Sequence, residues 1–402
     1  MPVATPPGFK IGSAEPVDAF AAFERRSLLA PSFRWEDVYQ QEHAAGFAVA
    51  GVAQADVLAL FQEQVRKSLA SGGTLADFAK VVKPALVAKG WWGDIEVTNP
   101  ATGESRITRF DDARLQLIYD VNLRQSYAAG RWARIERTKA SKPLVMYRTM
   151  RDERVRHSHA QWDGLALPVD HPFWQTHYPP NGWRCRCTAF AVSERDLAAY
   201  TADGDTIKRD APPIQYTEFV NRGTGEVSKV PEGIDPGFAY NPGQVRPQHL
   251  ADLQRSTLDA ADPAVAQQLV AQQLRGQNFA RFVDGPLRGE AMPVAMLPPA
   301  GAAAIGARGR ATVLPAEVAT RQAAEGGSAG VADYQAAQLV IDAGQRHPDG
   351  PGADVYVLAQ DGLVLVLRLV RGPDGAPVLD ALRRLTPSQA QADPLLKRLG
   401  VV

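Results

Sequence analysis

Apolar positions along this chain recur at two different periods, and the change of period divides it. Between 54 and 70, Val57, Leu58, Leu60, Phe61, Val65 and Leu69 return every three or four residues, which predicts a helix stopped by Ser71-Gly72-Gly73. Thr74 then caps a second helix that turns Leu75, Phe78, Val81, Val82 and Leu86 inward and ends at Gly90, with Pro84 as a point of kinking or splitting. Upstream, Trp35, Val38, Tyr39, Phe47 and Val49 predict a helix with Glu36 and Asp37 in its first turn. A polar, turn-rich stretch over 94–109 reads as a loop. It leads into a long helix over 111–137 that carries Leu115, Ile118, Val121, Tyr127, Ala128 and Ile135.

From 144 the pattern shortens. Residues 144–149 and 188–192 read as strands, the second followed by a Ser193-capped helix, and 217–230 as a hairpin turned at Thr224-Gly225. Asp262 and Pro263 open a helix over 263–275, and the Ala/Gly/Pro tract LPPAGAAAIGARGRA reads as a flexible linker. Beyond it, Val313-Leu314, one or two helices between 316 and 343, and strands at 354–359, 363–369 and 377–382 form a last group, with turns at Asp361-Gly362 and Asp374-Gly375. The expected fold class is α+β: a helical N-terminal region, a compact α+β core domain and a small C-terminal α+β domain. The expected divisions are an arm over 1–31, a core domain over 32–200, a connector over 201–245, a helical piece with linker over 246–310, and a C-terminal domain over 311–402.

At 402 residues the chain is long enough for two or three domains. Its 44 basic residues balance 44 acidic ones, so bulk attraction to nucleic acid is not indicated. The face of the long helix bearing Arg114, Arg124, Arg131, Arg134 and Arg137 reads first as a solvated face. No apolar run approaches the roughly 18 residues of a membrane span, and the N-terminus lacks a signal pattern, so a cytoplasmic protein with no membrane partner is expected.

Candidate chemistry is concentrated in 147–187, YRTMRDERVRHSHAQWDGLALPVDHPFWQTHYPPNGWRCRC. This stretch holds both cysteines, Cys185 and Cys187, and four of the seven histidines, His157, His159, His171 and His177. Cysteines one residue apart make a poor disulfide and a better shared metal site, which needs two further ligands from elsewhere in the fold. His159 and His157 are the best placed, and Asp152 or Asp163 would serve as a fourth ligand or as a partner orienting a histidine. The alternative is two buried thiols behaving as small hydrophobes while histidines and aspartates bond the turns. A catalytic zinc with Glu153 as base lacks a His-Glu-x-x-His element, and Cys185 as a nucleophile lacks other support.

The series Asp152, Arg154-Val155-Arg156, His159, Asp163-Gly164, Pro179-Pro180-Asn181-Gly182 and Cys185-Arg186-Cys187 resembles the Mu F-like minor head proteins of tailed bacteriophages, the head morphogenesis family. WEDVYQQEHAAGFAVAG at 35–51, GWWG at 90–93, RLQLIYDVNLRQSYAAGRW at 114–132 and DPGFAYNPG at 235–243 extend the likeness over roughly 30–245. The resemblance implies a virion or prohead component present in few copies at the portal, in the phage head and the host cytoplasm. Its partners would be the portal and other head or scaffold proteins, with phage DNA or RNA as a further contact. Some relatives carry cysteines in place of Arg156 and His159, which implies a structural zinc on His159, Cys185 and Cys187, with His157, Asp152 or Asp163 recruited because Arg156 departs from the pattern.

The order of elements over 310–385 resembles the barnase, colicin and endoribonuclease type of nuclease domain. That implies His347 as acid or base and Arg368, Arg383 and Arg384 as phosphate-facing cations, and a virion-borne nuclease as the alternative function. So few acid–base groups favour a degenerate, non-cleaving domain.

Overall fold

The computed structural model describes residues 16–99, 102–245, 247–286, 289–324 and 329–401. Of the arm expected over 1–31, positions 1–15 lie outside the described residues, and the remainder is a helix, Val17–Glu24, and a short strand, Leu28–Leu29. The chain divides into two units, one formed by 1–24, 31–43 and 48–244, the other by 25–30, 44–47 and 245–402.

In the first unit three predicted helices are present as Ala55–Ser71, Leu75–Ala88 and Asp112–Thr138. Their ends follow from local chemistry. Gly72, at φ 71°, closes the first in the left-handed conformation that glycine adopts without a Cβ penalty. Thr74 and Asp77 form a reciprocal capping box, and Asp111 accepts a bond from the Arg114 N–H at 2.8 Å. The second helix runs unbroken through Pro84, which is exposed, so that water can take the carbonyl its missing N–H leaves.

Two expectations fail here for identifiable reasons. The helix read from Trp35 is only a 3-10 turn, Trp35–Asp37, and a separate short helix, Glu42–Ala45. The Asp37 carboxylate turns back onto the Phe33 and Arg34 N–H groups at 2.7 and 2.8 Å, and Gln40 sits at φ 47°, which a continuing helix cannot accommodate. The stretch read as a loop over 94–109 is a hairpin of Gly93–Thr98 and Ser105–Phe110, whose half-exposed strands carry too few apolar residues to announce themselves.

The centre of the first unit is a three-stranded antiparallel sheet, Leu144–Arg148 between Ala166–Pro168 and Thr188–Val192. Trp132, Ile135, Val145, Tyr147, Trp162, Phe173, Trp174 and Tyr178 pack in one cluster on it. The same cluster contains Val230, Ile234, Phe238 and Ala239. Residues 201–245 are therefore not a connector but a wall of this core, with the predicted hairpin present as Tyr216–Val220 and Val227–Pro231.

The second unit is built on a six-stranded sheet in the order Ala291–Met296, Ala311–Pro315, Pro377–Leu385, Leu363–Arg371, Ala353–Gln360, Gln345–Pro348. Neighbours are antiparallel except Ala311–Pro315 with Pro377–Leu385. A boundary at 311 would cut this sheet between two paired strands. The tract expected as a flexible linker instead supplies the helix Pro299–Ala304 and buries Leu297, Ala302 and Ile305. Its small residues serve close packing: a Cβ on Gly301 would lie 2.8 Å from the Tyr356 hydroxyl and 2.9 Å from Leu297.

Small size also decides the contact between Val17–Glu24 and the long helix. A Cβ on Gly130 would meet the Ala19 backbone nitrogen at 2.4 Å and the Asp18 carbonyl carbon at 2.6 Å. Gly130→Ala gains about 1 kcal/mol of helix propensity, but a backbone clash of this kind costs about 1–3 kcal/mol, so a net loss is expected. Urea unfolding of the variant checks it; a stability equal to or above that of the parent would show that the two helices part without cost.

Candidate metal centre

His159, Cys185 and Cys187 converge although 26 and 28 residues separate the histidine from the thiols. The short helix His157–Gln161 presents His159 inward, where it is 2% exposed, and stacks its ring on Trp162 at 5.1 Å. The cysteines lie on the turn that follows Asn181-Gly182 and enters the strand Thr188–Val192. His159 Nδ1 is 3.7 Å from Cys185 Sγ and 3.6 Å from Cys187 Sγ. Tetrahedral zinc with ordinary Zn–S and Zn–N bonds holds such donors about 3.6 Å apart.

The histidine tautomer agrees. Nε2 lies 2.9 Å from the Gly233 carbonyl, which can only accept, so Nε2 carries the proton and Nδ1 turns its lone pair to the sulfurs. Without a metal, two thiols would compete for this one lone pair.

The Cys185 thiol is pushed down, first by a hydrogen bond from Cys187 and then, against the cost of burial, by His159. Cys187 moves the other way, raised by its bond to Cys185 and by burial. The two titrate as one system: the first proton leaves readily, and the second is held by the charge left behind. Tyr147 lies beside the pair and donates to Asn181 Oδ1 at 2.8 Å; burial raises its own pKa well above the usual range. The donor set, two thiols and a correctly protonated imidazole, fits zinc.

The three other proposed ligands are not brought in. His157 is exposed, its Nε2 3.3 Å from the Gln161 amide. Asp152 takes both arms of the Arg186 guanidinium at 2.6 and 2.7 Å. Asp163 accepts from the Thr149 N–H at 2.8 Å and from Arg151 Nε at 2.8 Å, and so fixes the turn after the central strand. Among the described residues the cluster has three protein ligands.

Arg156 faces Asp235 with bonds of 2.6 and 2.8 Å, and the same carboxylate accepts the Trp183 N–H at 2.8 Å. A Cβ on Gly182 would fall 2.4 Å from that carboxylate, which is why a glycine must stand there. Asp235 and Gly233 were missed in the sequence. Neither left a signal in the sequence: Asp235 has its partner 79 residues away, and Gly233 acts through a backbone carbonyl.

Three of the four residues proposed for phosphate chemistry in the second unit share one face of the sheet. His347 and Arg368 share a cross-strand row with Val355 between them, and Arg383 lies on the same face. Arg384 is on the opposite face, 3.5 Å from Asp333. Arg368 is held by Asp349 at 2.7 Å and Asp380 at 2.5 Å, and Arg383 by Asp393. Cations tied this way are not presented to a phosphate.

Residues 59–190, which include all three converging side chains, match the family described as Phage Mu protein F like protein. Over these residues the chain is similar to the Mu F-like family. It is 31% identical over 268 residues to the capsid assembly protein F of Escherichia phage Mu, an alignment covering 63% of this chain and 60% of that protein. It is 29% identical over 227 residues to the Mu-like prophage FluMu F protein of Haemophilus influenzae, covering 53% of each. The chain thus spans somewhat over half the length of these relatives. No solved structure matches it. No helix among the described residues is long and apolar enough to cross a membrane.

His177 offers a pH test of this core. It is 3% exposed, stacks on Phe173 at 4.2 Å, and burial lowers its pKa to about 4 from the ordinary 6.5. Between those values the unfolded chain binds the extra proton, so stability is full above about pH 6.5 and falls as pH drops toward 4, by about 3 kcal/mol at most. His177→Gln should flatten that slope in urea midpoints taken across the window; an unchanged slope would assign the acid sensitivity elsewhere.

Proposed function

We propose that this chain is a capsid assembly protein of a tailed phage or prophage, acting in prohead assembly as a minor head component at the portal. The observation that carries the reading is the similarity to phage Mu protein F over a region that includes the His159, Cys185 and Cys187 cluster. Its partners are other head proteins, and its place is the phage head and the cytoplasm in which heads assemble.

In this reading the cluster is structural. Zinc bound by His159, Cys185 and Cys187 would tie the short helix after Arg156 to the turn before the strand Thr188–Val192, two segments that little regular structure otherwise joins. The chemistry supplied is cross-linking, and binding free energy at such a site becomes folding free energy.

Deleting the gene from its phage and supplying it from a plasmid tests the assembly role. Loss of DNA-filled heads, restored by the wild-type copy, is expected, and normal heads in the deletion would refute it. Quantitative mass spectrometry of purified heads should find a few copies per particle; copy numbers like those of the main shell protein would remove the portal assignment. For the metal, the purified chain should contain about one zinc per molecule. Cys185→Ser should lose it together with several degrees of melting temperature. A metal-free parent as stable as one supplied with zinc would end the structural-zinc reading.

A further inference from the structure

The cluster is not sealed. His159, Cys185 and Cys187 line a small cleft together with Met150, Arg154, Val155, Arg156, Arg184 and Arg186. Apart from the three converging side chains, this lining offers no thiolate, imidazole or carboxylate. The Met150 thioether is a soft neutral donor that suits Cu(I) better than zinc. Among the described residues no fourth donor reaches this set, so four-coordinate zinc here has a position open to an incoming ligand.

The charge around the cleft says what kind. Zinc with two thiolates and a neutral imidazole sums to zero, so the metal centre itself calls for no counter-charge. Four arginines nevertheless rim the opening. Arg156 and Arg186 are committed to Asp235 and Asp152. Arg154 and Arg184 are exposed, and neither has a carboxylate within ion-pair distance among the described residues. Arg184 is held at φ 60°, a left-handed conformation that costs a residue with a Cβ about 1 kcal/mol or more.

We infer that this cleft is a phosphate-binding site in which a phosphate oxygen completes the coordination of a metal on His159, Cys185 and Cys187 while Arg154 and Arg184 hold the remaining oxygens. With one oxygen on the metal, a carboxylate has a single oxygen left for two guanidinium groups, whereas a phosphate has up to three and carries more charge, so it meets both more fully. The inference rests on the zinc reading above and goes beyond it: the site is an anion receptor as well as a cross-link. Two sources share this chemistry, free phosphate and the backbone of a nucleic acid.

Cobalt(II) in place of zinc makes the test spectroscopic. The 402-residue chain, loaded with one equivalent, should show sulfur-to-cobalt charge transfer from two thiolates. Inorganic phosphate in the millimolar range should shift the d–d bands saturably, and acetate should do so only at much higher concentration. Arg154→Gln with Arg184→Gln should raise the phosphate concentration for half-maximal shift about tenfold while leaving the charge-transfer band in place. Both side chains are exposed, so the fold should tolerate the change. A single-stranded oligonucleotide without terminal phosphates that produces the shift at lower concentration identifies nucleic acid as the source; one that does nothing identifies free phosphate.

Cobalt that binds but ignores phosphate would overturn the inference alone, and so would acetate acting as well as phosphate. A chain that takes up no cobalt or zinc would overturn the zinc reading and this inference with it.

Discussion

One imidazole ring is the constraint on which the first unit depends. His159 is fixed from three sides: Trp162 stacks on its face, the Gly233 carbonyl takes its Nε2 proton, and two sulfurs stand before Nδ1. The carbonyl can reach the ring only because Gly233 is a glycine. Its φ is 88°, and a Cβ there would lie 2.7 Å from the Ser158 Cβ. A single neutral hydrogen bond contributes about 1 kcal/mol net, whereas structural zinc contributes about 10 kcal/mol or more in small domains. The hydrogen bond is thus not the main source of stability. It selects the tautomer whose free Nδ1 lone pair a metal can use.

Arg156 shows how the same region closes without a fourth ligand. Its guanidinium, Asp235, and the backbone N–H and carbonyl of Trp183 form one clasp that ties 156, 183 and 235 together. The pair is partly exposed, so its Coulomb energy is screened, and its value lies mainly in geometry. It fastens to the core the 233–240 segment, whose Ile234 and Phe238 already pack there.

What the sequence made legible was whatever local chemistry decides. The helices Ala55–Ser71, Leu75–Ala88 and Asp112–Thr138 have strong apolar stripes and explicit caps, and the strands around Asp361-Gly362 have a turn that needs no tertiary help. The cluster of His159 with Cys185 and Cys187 was legible because cysteine is scarce and histidine concentrated. Composition misled at 297–311 and 201–245. Alanine and glycine read as flexibility, yet in this sheet they are what permits Gly301 to pass beneath Tyr356. Proline, glycine and aspartate read as a connector, yet Asp235 has its partner 79 residues away. No window of local pattern can show a contact of that range.

The distribution of charge, rather than its sum, separates the two units' chemistry. The chain is formally neutral, a figure equally consistent with every basic group paired and with a few left facing outward. In the C-terminal sheet, Arg346, Arg368, Arg383 and Arg384 each face an aspartate, and Asp354 and Asp349 are nearly buried beneath theirs. Removing an aspartate there would leave a cation without its partner, so these pairs hold strands together and present little positive potential outward. At the metal cleft the balance differs, because Arg154 and Arg184 stand beside two sulfurs whose charge a metal would cancel. An incoming anion would give these two guanidinium groups the close partner that a neutralised metal centre does not.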